Sequence, residues 1–196
     1  MPRVSRAEAE RSRRRVIDHT ARLIREKGPD QVSVPEAMAA AGFTHGGFYR
    51  HFASKDDLLA EALAAAFTER REAMEHPAPA GEEDPGPARS PRAAFLDRYL
   101  SQPHRDHPGQ GCAAAALAAD AARTEPGSPL RTAFTEGLRE LVDAFARLPE
   151  PADREEALAD LSTMVGALVL ARASQDEDLS ADLLAAARRR LSAPGA

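Results

Sequence analysis

Apolar residues recur at intervals of three and four along most of this chain, the spacing that gathers them on one face of an α-helix. No stretch alternates apolar and polar residues as a half-buried strand does. Glycine, proline and serine separate the periodic stretches and mark their ends. The helices predicted in this way cover approximately residues 9–27, 34–41, 45–51, 55–75, 91–100, 112–122, 129–148, 151–174 and 180–191. We therefore predict an all-α protein of about nine helices.

Capping residues define several of these helix starts. Ser33 and Glu36 have the S-x-x-E spacing of a capping box, in which each side chain satisfies a free backbone amide. Thr44 and Ser180 are placed to cap the third and the last helix. Serine-proline pairs at 90–91 and 128–129 begin two more helices. Residues 1–10 are predicted to be a loose arm, and the proline-rich residues 76–92 a mobile connection.

Two short helices and a tight turn lie between residues 32 and 59. The helix at 34–41 ends at Gly42, a residue type suited to a left-handed cap. The next helix, at 45–51, presents glycine, aromatic, arginine and histidine side chains rather than a simple polar face, and Ser54 begins another helix. A short helix, a glycine turn and a second short helix with exposed side chains form a helix-turn-helix, in which the second helix reads DNA.

The stretch GFTHGGFYRHFASKDDLLAEAL at residues 42–63 resembles the helix-turn-helix signature of the tetracycline-repressor (TetR/AcrR) family of transcription regulators. The resemblance covers roughly residues 10–62, and the residues that carry it are Phe48, Tyr49, His51, Phe52, Lys55 and Leu58. It implies a DNA-binding domain at residues 1–55 and a helical domain at 56–196 that binds a small effector and dimerises. It also implies that the first helix buttresses the helix-turn-helix and brings its arginines near phosphates. Those arginines are Arg11, Arg13, Arg14, Arg15, Arg22 and Arg25.

The charge distribution agrees with a DNA-binding amino-terminal part. Residues 1–60 carry a net charge of +3 and the remainder −8, although the whole chain is acidic at −5. A basic module on an acidic body is the electrostatic pattern expected of local polyanion binding.

Several classes of protein and site are disfavoured. No run of 18 apolar residues is present, the arginine-rich start is not a secretory signal, and the single cysteine fits a reducing cytoplasm. No nucleophile, base and orienting partner occur at a recognisable spacing, so we expect no enzymatic activity, cofactor or metal. His104 and His107 lie in a predicted solvated loop at 102–111, and two imidazoles do not complete a metal site.

The predicted DNA contacts lie on the second helix of the helix-turn-helix and at neighbouring helix starts. His45 lies at the end that enters the major groove, and Tyr49 can donate a hydrogen bond to phosphate. The helix start at Lys55 is suited to bind a phosphate as well, whereas Phe48 and Phe52 belong to the core. The full predicted set is Ser33, Thr44, His45, Gly46, Gly47, Tyr49, Arg50, His51 and Lys55.

An effector pocket and a dimer surface are predicted in the carboxy-terminal helices. The possible pocket walls, which could equally fill the core, are Phe95, Tyr99, Cys112, Leu117, Phe134, Leu138 and Met164. They favour an apolar or amphipathic effector. The last two helices carry more apolar residues than one packing face needs, which predicts dimerisation through a four-helix bundle. The predicted contacts are Leu161, Val165, Leu168, Leu183, Leu184 and Leu191.

These features predict a cytoplasmic, homodimeric, one-component regulator, most simply a repressor released from a near-palindromic operator by its effector. An alternative is a repressor that senses electrophiles or oxidants through Cys112, which is predicted in the first turn of a helix. A more distant alternative is a helical adaptor whose helix-turn-helix contacts protein instead of DNA.

Overall fold

The structure, a computed structural model, describes residues 6–75, 90–148 and 153–192. These residues form nine α-helices and two 3-10 helices, and they contain no strand, so the all-α prediction is confirmed. The α-helices are α1 (Arg6–Lys27), α2 (Val34–Ala40), α3 (Lys55–Glu75), α4 (Pro91–Tyr99), α5 (Gln102–Asp106), α6 (Ala113–Arg123), α7 (Pro129–Ala146), α8 (Arg154–Ala173) and α9 (Glu177–Ser192). The 3-10 helices are His45–Arg50 and Pro108–Gln110.

Serine and aspartate caps begin most of the shorter helices. The Ser33, Ser90 and Ser128 hydroxyls each accept a hydrogen bond from the backbone amide three residues later, as the sequence predicts. Ser101 and Asp153 do the same for α5 and α8. Each such cap contributes about 1 kcal/mol, because it satisfies one of the amides that the first turn leaves free.

Three predicted boundaries differ from the structure. Residues 6–10 belong to α1 rather than to a loose arm, and residues 102–111 form α5 and a 3-10 turn rather than a loop. Ser180 does not cap α9, which begins at Glu177. The Ser180 hydroxyl is instead buried and donates to the carbonyl oxygen of Ala171 at 2.8 Å, while the Asp176 carboxylate accepts from the amide of Leu179. The proline-rich prediction at 76–89 and the helix start predicted at Pro151 lie outside the described residues.

The helices at residues 6–75 share a core with the rest of the chain. Side chains from α1, α2, the first 3-10 helix and α3 meet in this core, and those that are almost fully buried include Val16, Ile24, Met38, Phe48 and Leu58. The same helix α3 also packs against α7. Because α3 is continuous, a boundary near residue 55 falls at the start of a shared helix, and the division into 1–55 and 56–196 stays a prediction.

The contact between α3 and α7 depends on one glycine. Gly137 is buried in the middle of α7, and a Cβ built there would lie 2.3 Å from Cδ2 and 2.4 Å from Cγ of Phe67 on α3. Phe67 is itself only 2% exposed and packs edge-on against Phe134, with ring centroids 5.6 Å apart. The absent side chain at Gly137 therefore lets the two helices approach closely enough to bury the Phe67 ring between them.

The last two helices pack against each other and close the bundle. α8 contacts α6, α7 and α9, and α9 contacts α4. Arg92 of α4 forms an ion pair with Asp160 of α8, and its guanidinium carbon lies 4.7 Å from the centroid of the Phe145 ring. Within the described ranges, no helix combines the length and the apolar character needed to cross a membrane.

Candidate functional site

The first helix of the helix-turn-helix, α2, is held by the predicted capping box. The Ser33 hydroxyl accepts from the Glu36 amide at 3.3 Å. The Glu36 carboxylate is paired with Lys27 at the end of α1, and this hydrogen bond is the largest cause that lowers the pKa of Glu36, with a smaller contribution from the backbone of Ser33. These contacts hold Ser33 in place. Because Ser33 is exposed, a ligand can reach the start of α2 from solvent.

The turn after α2 requires a glycine. Gly42 has a φ of +81°, a left-handed conformation that most residues adopt only with strain. Its amide donates to Ala39, and the amide of Phe43 donates to Met38 at 2.9 Å, which ends the helix. Arg15 of α1 donates to the Ala41 carbonyl at 2.9 Å and lies over the Phe43 ring, so α1 holds the turn in place.

The second helix of the motif is a 3-10 helix, His45–Arg50, that presents the predicted contact residues to solvent. Tyr49 is 76% exposed, whereas the adjacent Phe48 is 1% exposed and meets the Tyr49 ring edge-on at 5.1 Å. Thr44, His45, Gly46 and Arg50 are exposed too, and Gly47 and His51 are half-buried. Thr44 has the extended backbone of a cap residue, but its side chain makes no capping hydrogen bond, so that prediction is wrong.

A third helix start lies beside this surface. The Ser54 hydroxyl accepts from the Asp57 amide at 3.0 Å, which makes Ser54 the cap of α3. Lys55 is the first residue of α3 and is half-buried. The structure thus brings Ser33, Lys55 and the exposed 3-10 helix into one three-helix unit. Free amides and positive partial charge at helix starts favour an anion such as phosphate.

Three arginines of α1 are tied into the protein rather than free to bind phosphate. Arg13 donates to the His51 carbonyl at 3.2 Å and pairs with Glu61, and Arg15 holds the turn described above. Arg25 has a side chain that is only 4% exposed. Its guanidinium donates to the Ala21 and Gly111 carbonyls at 3.0 Å and to Glu69 at 2.9 Å. Half of the six arginines expected to lie near phosphates therefore make contacts within the protein instead.

The predicted effector-pocket side chains lie mostly inside the core. Five of the seven are at most 4% exposed, and they are Phe95, Tyr99, Cys112, Leu117 and Met164. Phe134 and Leu138 are partly buried and pack against the core, and Phe134 lies at the contact between α3 and α7. The structure brings Phe95 and Tyr99 together, with ring centroids 5.8 Å apart. Their role as walls of an effector pocket stays a prediction.

A polar cluster surrounds Cys112, and the sequence analysis missed most of it. Nε2 of His104 accepts from the Cys112 amide at 3.0 Å, so the proton of the neutral ring is on Nδ1, which donates to the Tyr99 carbonyl at 2.7 Å. His104 is thus half-buried and structural rather than solvated as predicted. Burial is the main cause that lowers its pKa to about 4, and the charges of Arg70 and Arg172 contribute to the same shift. Burial, followed by the neighbouring Cys112, raises the pKa of Tyr99 well above its usual value.

Arg70 and Arg172 complete this cluster from α3 and α8. Arg70 donates to the Gln110 carbonyl at 3.1 Å. Arg172 donates to the Arg105 and His104 carbonyls at 3.1 and 2.7 Å, and burial lowers its pKa. A sequence signal existed for both residues. Arg70 continues the apolar positions Leu63, Ala66 and Phe67 of α3, and Arg172 follows Leu168 on α8, so each arginine occupies a position where the helical period predicts an apolar residue.

The predicted dimer contacts divide into two groups. Leu161, Leu168 and Leu184 are at most 4% exposed within one protomer, so they stabilise its core and offer little surface to a partner, and their role as partner contacts stays a prediction. Val165, Leu183 and Leu191 are half-buried. The exposed apolar side chains on α8 and α9 are Leu158, Val169, Leu170 and Leu179. Sequence periodicity thus selected three inward-facing leucines, and a dimer surface on α8 and α9 stays a prediction.

Comparison with known proteins gives matches of two kinds. The sequence model of "Bacterial regulatory proteins, tetR family" matches residues 16–62. The HTH-type transcriptional regulator AcrR of Shigella flexneri is 38% identical over 61 residues, which are 31% of this chain and 28% of that protein. YwcC of Bacillus subtilis, an uncharacterised HTH-type transcriptional regulator, is 46% identical over 43 residues, 22% of this chain and 19% of its own length. The match therefore spans less than a third of either relative.

Solved structures extend the similarity of fold to nearly the whole chain. A TetR transcriptional regulator from Chloroflexus aurantiacus has a TM-score of 0.66 at 26% identity and covers 94% of both chains. Reduced NemR of E. coli has a TM-score of 0.72 at 18% identity, over 92% of this chain and 95% of that one. Together, these matches make residues 16–62 similar to the tetR family of bacterial regulatory proteins and the fold of nearly the whole chain similar to that of a TetR transcriptional regulator.

Proposed function

We propose that this chain is a homodimeric transcription regulator that binds operator DNA through residues 33–55 and acts as a repressor. The observation that carries the proposal is the exposure of Tyr49, at 76%, on a rigid helix whose other side is anchored by the buried Phe48. Apart from its edge-on contact with Phe48, this large aromatic side chain lies in solvent next to two capped helix starts and packs little within the protomer. It is suited to reach a phosphate from the major groove.

The proposed contacts have different tasks. Tyr49, Lys55 and the amides at the start of α2 and α3 would bind phosphates and set the register on the duplex. Thr44, His45 and Arg50 would face base edges, and the absence of side chains at Gly46 and Gly47 would let the backbone approach. A built Cβ at Gly46 meets no atom within 4 Å, so nothing in the packing of the protomer requires a glycine there. A close approach to DNA explains a helix glycine that otherwise costs about 1 kcal/mol.

A binding titration against DNA from upstream of the protein's own gene, supplemented by selection from genomic fragments, tests the proposal. We expect Tyr49→Ala and Arg50→Ala to weaken binding at least about tenfold, because each loses a contact with DNA. Arg139→Ala is the matched control, since it removes the same charge from an exposed position on α7. Binding should also fall steeply with salt, because phosphate contacts release counterions. Equal binding by wild type and Tyr49→Ala would refute the assignment and leave the adaptor alternative.

The proposed dimer forms through α8 and α9. Leu158, Val169, Leu170 and Leu179 are between 39% and 56% exposed, and on one protomer these leucines and valine face water. A two-fold dimer would cover them in a four-helix bundle and would place two reading helices on successive major grooves. A near-palindromic operator follows from that symmetry.

Effector binding would lower operator affinity through the segment between α5 and α6. The 3-10 turn Pro108–Gln110 packs on α1, where a Cβ built on Gly109 would lie 2.2 Å from Glu26 and 2.8 Å from Arg22. Arg25 of α1 binds the carbonyl of Gly111, next to the polar cluster. An effector that prefers a different position of this segment would thereby displace α1 and the turn that Arg15 holds, and its differential binding energy sets the change in affinity.

Sensing through Cys112 remains the second candidate for the effector step. The observation in its favour is the polar cluster around the thiol, and its complete burial means that a reagent must open the α5–α6 segment first. The decisive measurement is operator binding after treatment with an electrophile. If the thiol is the sensor, the wild type loses operator binding and Cys112→Ser keeps it. If the two proteins respond alike, the thiol is a packing residue.

A further inference from the structure

Gly166 lies in the interior of α8, and the packing of the protomer does not require a glycine there. A Cβ built at this position meets no atom within 4 Å, whereas one built at Gly137 of α7 would collide with Phe67. The backbone at Gly166 is also ordinary right-handed helix. Glycine is disfavoured in a helix interior, because it loses the most conformational freedom on folding. A glycine without a reason inside the protomer indicates a close approach from outside it.

The surface around Gly166 is exposed and largely apolar. The residues one turn away on the same helix are all exposed, and they are Ser162, Thr163, Val169 and Leu170. The Ser162 and Thr163 hydroxyls donate to carbonyl oxygens one turn earlier in α8, at 2.7 and 2.9 Å, so both are satisfied without water. Val169 and Leu170 are 39% and 56% exposed. A second helix could therefore cross this face with its backbone close to Gly166 and cover the two apolar side chains.

The neighbouring helix α9 carries opposite charges on either side of the level of Gly166. The Ser180 hydroxyl donates to the carbonyl of Ala171 at 2.8 Å, which fixes the levels of α8 and α9 relative to one another. Counting equally from this contact, back along α8 and forward along α9, puts Gly166 level with residue 185. Asp182 lies about one turn before this level and Arg189 about one turn after it.

Asp182 and Arg189 are available to a partner chain. They are about two turns apart and therefore share one side of α9, but they are too far from one another to pair within the helix. Both side chains are exposed, and neither forms an ion pair with another described residue.

A two-fold axis near Gly166 makes this surface complementary to itself. In an antiparallel arrangement the axis reverses the direction of the partner's α9, so each Asp182 lies level with the partner's Arg189. In a parallel arrangement each charge would lie level with its own copy, and like charges repel. The charge pattern therefore favours a second copy of this chain as the occupant and favours the antiparallel orientation.

We propose that α8 of one protomer crosses α8 of a second copy at Gly166, in antiparallel orientation, with Asp182 of each protomer facing the partner's Arg189. The inference rests on the proposed function, because it gives the register of the proposed dimer. The apolar side chains of α8 supply affinity, and the ion pairs on α9 select the orientation and the correct partner.

Sedimentation equilibrium over a dilution series measures the dissociation constant of the dimer and tests the crossing point. Gly166→Leu should weaken the dimer roughly a hundredfold, because the new side chain enters the contact twice across the two-fold axis. Since a Cβ at Gly166 meets no atom of its own protomer, the variant should keep the circular dichroism of the wild type. Thr135→Leu, at an exposed position of α7, is the matched control and should leave the dimer unchanged.

Charge reversal tests the orientation. Asp182→Arg and Arg189→Asp should each weaken the homodimer about tenfold or more, because each brings like charges together at two symmetric positions. A mixture of the two variants should form a heterodimer about as tight as the wild-type dimer, since each chain then meets opposite charges on the other. Glu136→Arg and Arg139→Asp, at exposed positions of α7, are the control pair, and they should dimerise equally well alone and mixed.

The outcomes separate this register from the proposed dimer itself. If the wild type is a dimer that Gly166→Leu leaves intact, or if the mixed charge variants associate no more tightly than each does alone, the register is overturned and the proposed dimer stands. A wild type that is monomeric at micromolar concentration refutes the proposed dimer and the register with it.

Discussion

Replacement of Gly137 by alanine places one methyl group against the Phe67 ring in the contact between α3 and α7. The new Cβ would start 2.3 Å from Cδ2 and 2.8 Å from Cβ of Phe67. Ordinary contact between carbon atoms needs about 3.5 Å, so the two groups must separate by about 1 Å. The base of a buried ring cannot move by that distance alone, and α7 would have to shift relative to α3.

Two opposing effects determine the magnitude. Alanine is favoured over glycine by about 1 kcal/mol in a helix interior. Overpacking of a core typically costs about 1–3 kcal/mol, and this contact lies at the severe end because the clash involves the root of the ring and not its edge. We expect a net destabilisation of about 2 kcal/mol, which corresponds to a decrease in Tm of roughly 4–8 °C for a chain of this length.

Denaturant unfolding at a fixed protein concentration measures the effect, with Phe67→Leu and the double variant completing a mutant cycle. In the Gly137→Ala background, Phe67→Leu should cost at least about 1 kcal/mol less than it does alone, because leucine relieves the clash. A neutral or stabilising Gly137→Ala variant, or additive effects of the two changes, would refute the close approach of α3 and α7.

Three further predictions concern Arg25, His104 and the proposed dimer surface. Arg25→Met should lower the free energy of unfolding by about 2 kcal/mol, because it removes a charged hydrogen bond to the Gly111 carbonyl, whereas Glu69→Gln should lower it by at most about 0.5 kcal/mol because Glu69 is exposed. Equal losses in the two variants would show that the ion pair, and not the bond to Gly111, stabilises the protein. His104, which faces Arg70, Arg172 and Tyr99, has a pKa of about 4 in the folded protein and 6.5 in the unfolded chain, so the unfolded state binds the proton preferentially as the pH falls from 6.5 to 4. Urea titrations should therefore show that the free energy of unfolding decreases by at most roughly 3 kcal/mol over that range, and that it depends less on pH in His104→Gln. Leu170→Glu should convert the proposed dimer to a folded monomer in light scattering, because it introduces a charge on an exposed apolar face. A variant with the mass of a wild-type dimer would exclude this part of α8 from the interface.

Local sequence chemistry predicted the features that depend on neighbours in the chain. Ser33 caps α2, Gly42 ends it in the left-handed conformation, and Phe48 is buried beside an exposed Tyr49, as the order of residues indicates. Ser180 shows the limit of this reasoning, since a serine before a periodic stretch resembled a cap while Asp176, four residues earlier, performs that task.

The features that the sequence did not reveal depend on residues far apart in the chain. Arg25 meets Gly111 across 86 positions, and Arg172 meets His104 across 68. A helical period shows which face of a helix is apolar, but it does not show which element packs there or where a charged group finds its acceptor. The period therefore does not reveal the internal contacts of Arg13, Arg15 and Arg25 or the polar groups around Cys112. An arginine on an apolar stripe, as at Arg70, is the signal that deserved more weight.

The continuity of α3 makes it a rigid lever between the two ends of the protein. Lys55, the proposed phosphate contact, and Arg70, which donates to the Gln110 carbonyl, lie fifteen residues apart on this helix, about 22 Å along its axis. A tilt of about 5° at the Arg70 end would displace Lys55 by about 2 Å, more than the distance tolerance of a hydrogen bond to a phosphate oxygen. A change in angle too small to disturb the core of either half would therefore suffice to move the proposed phosphate contact out of hydrogen-bonding distance.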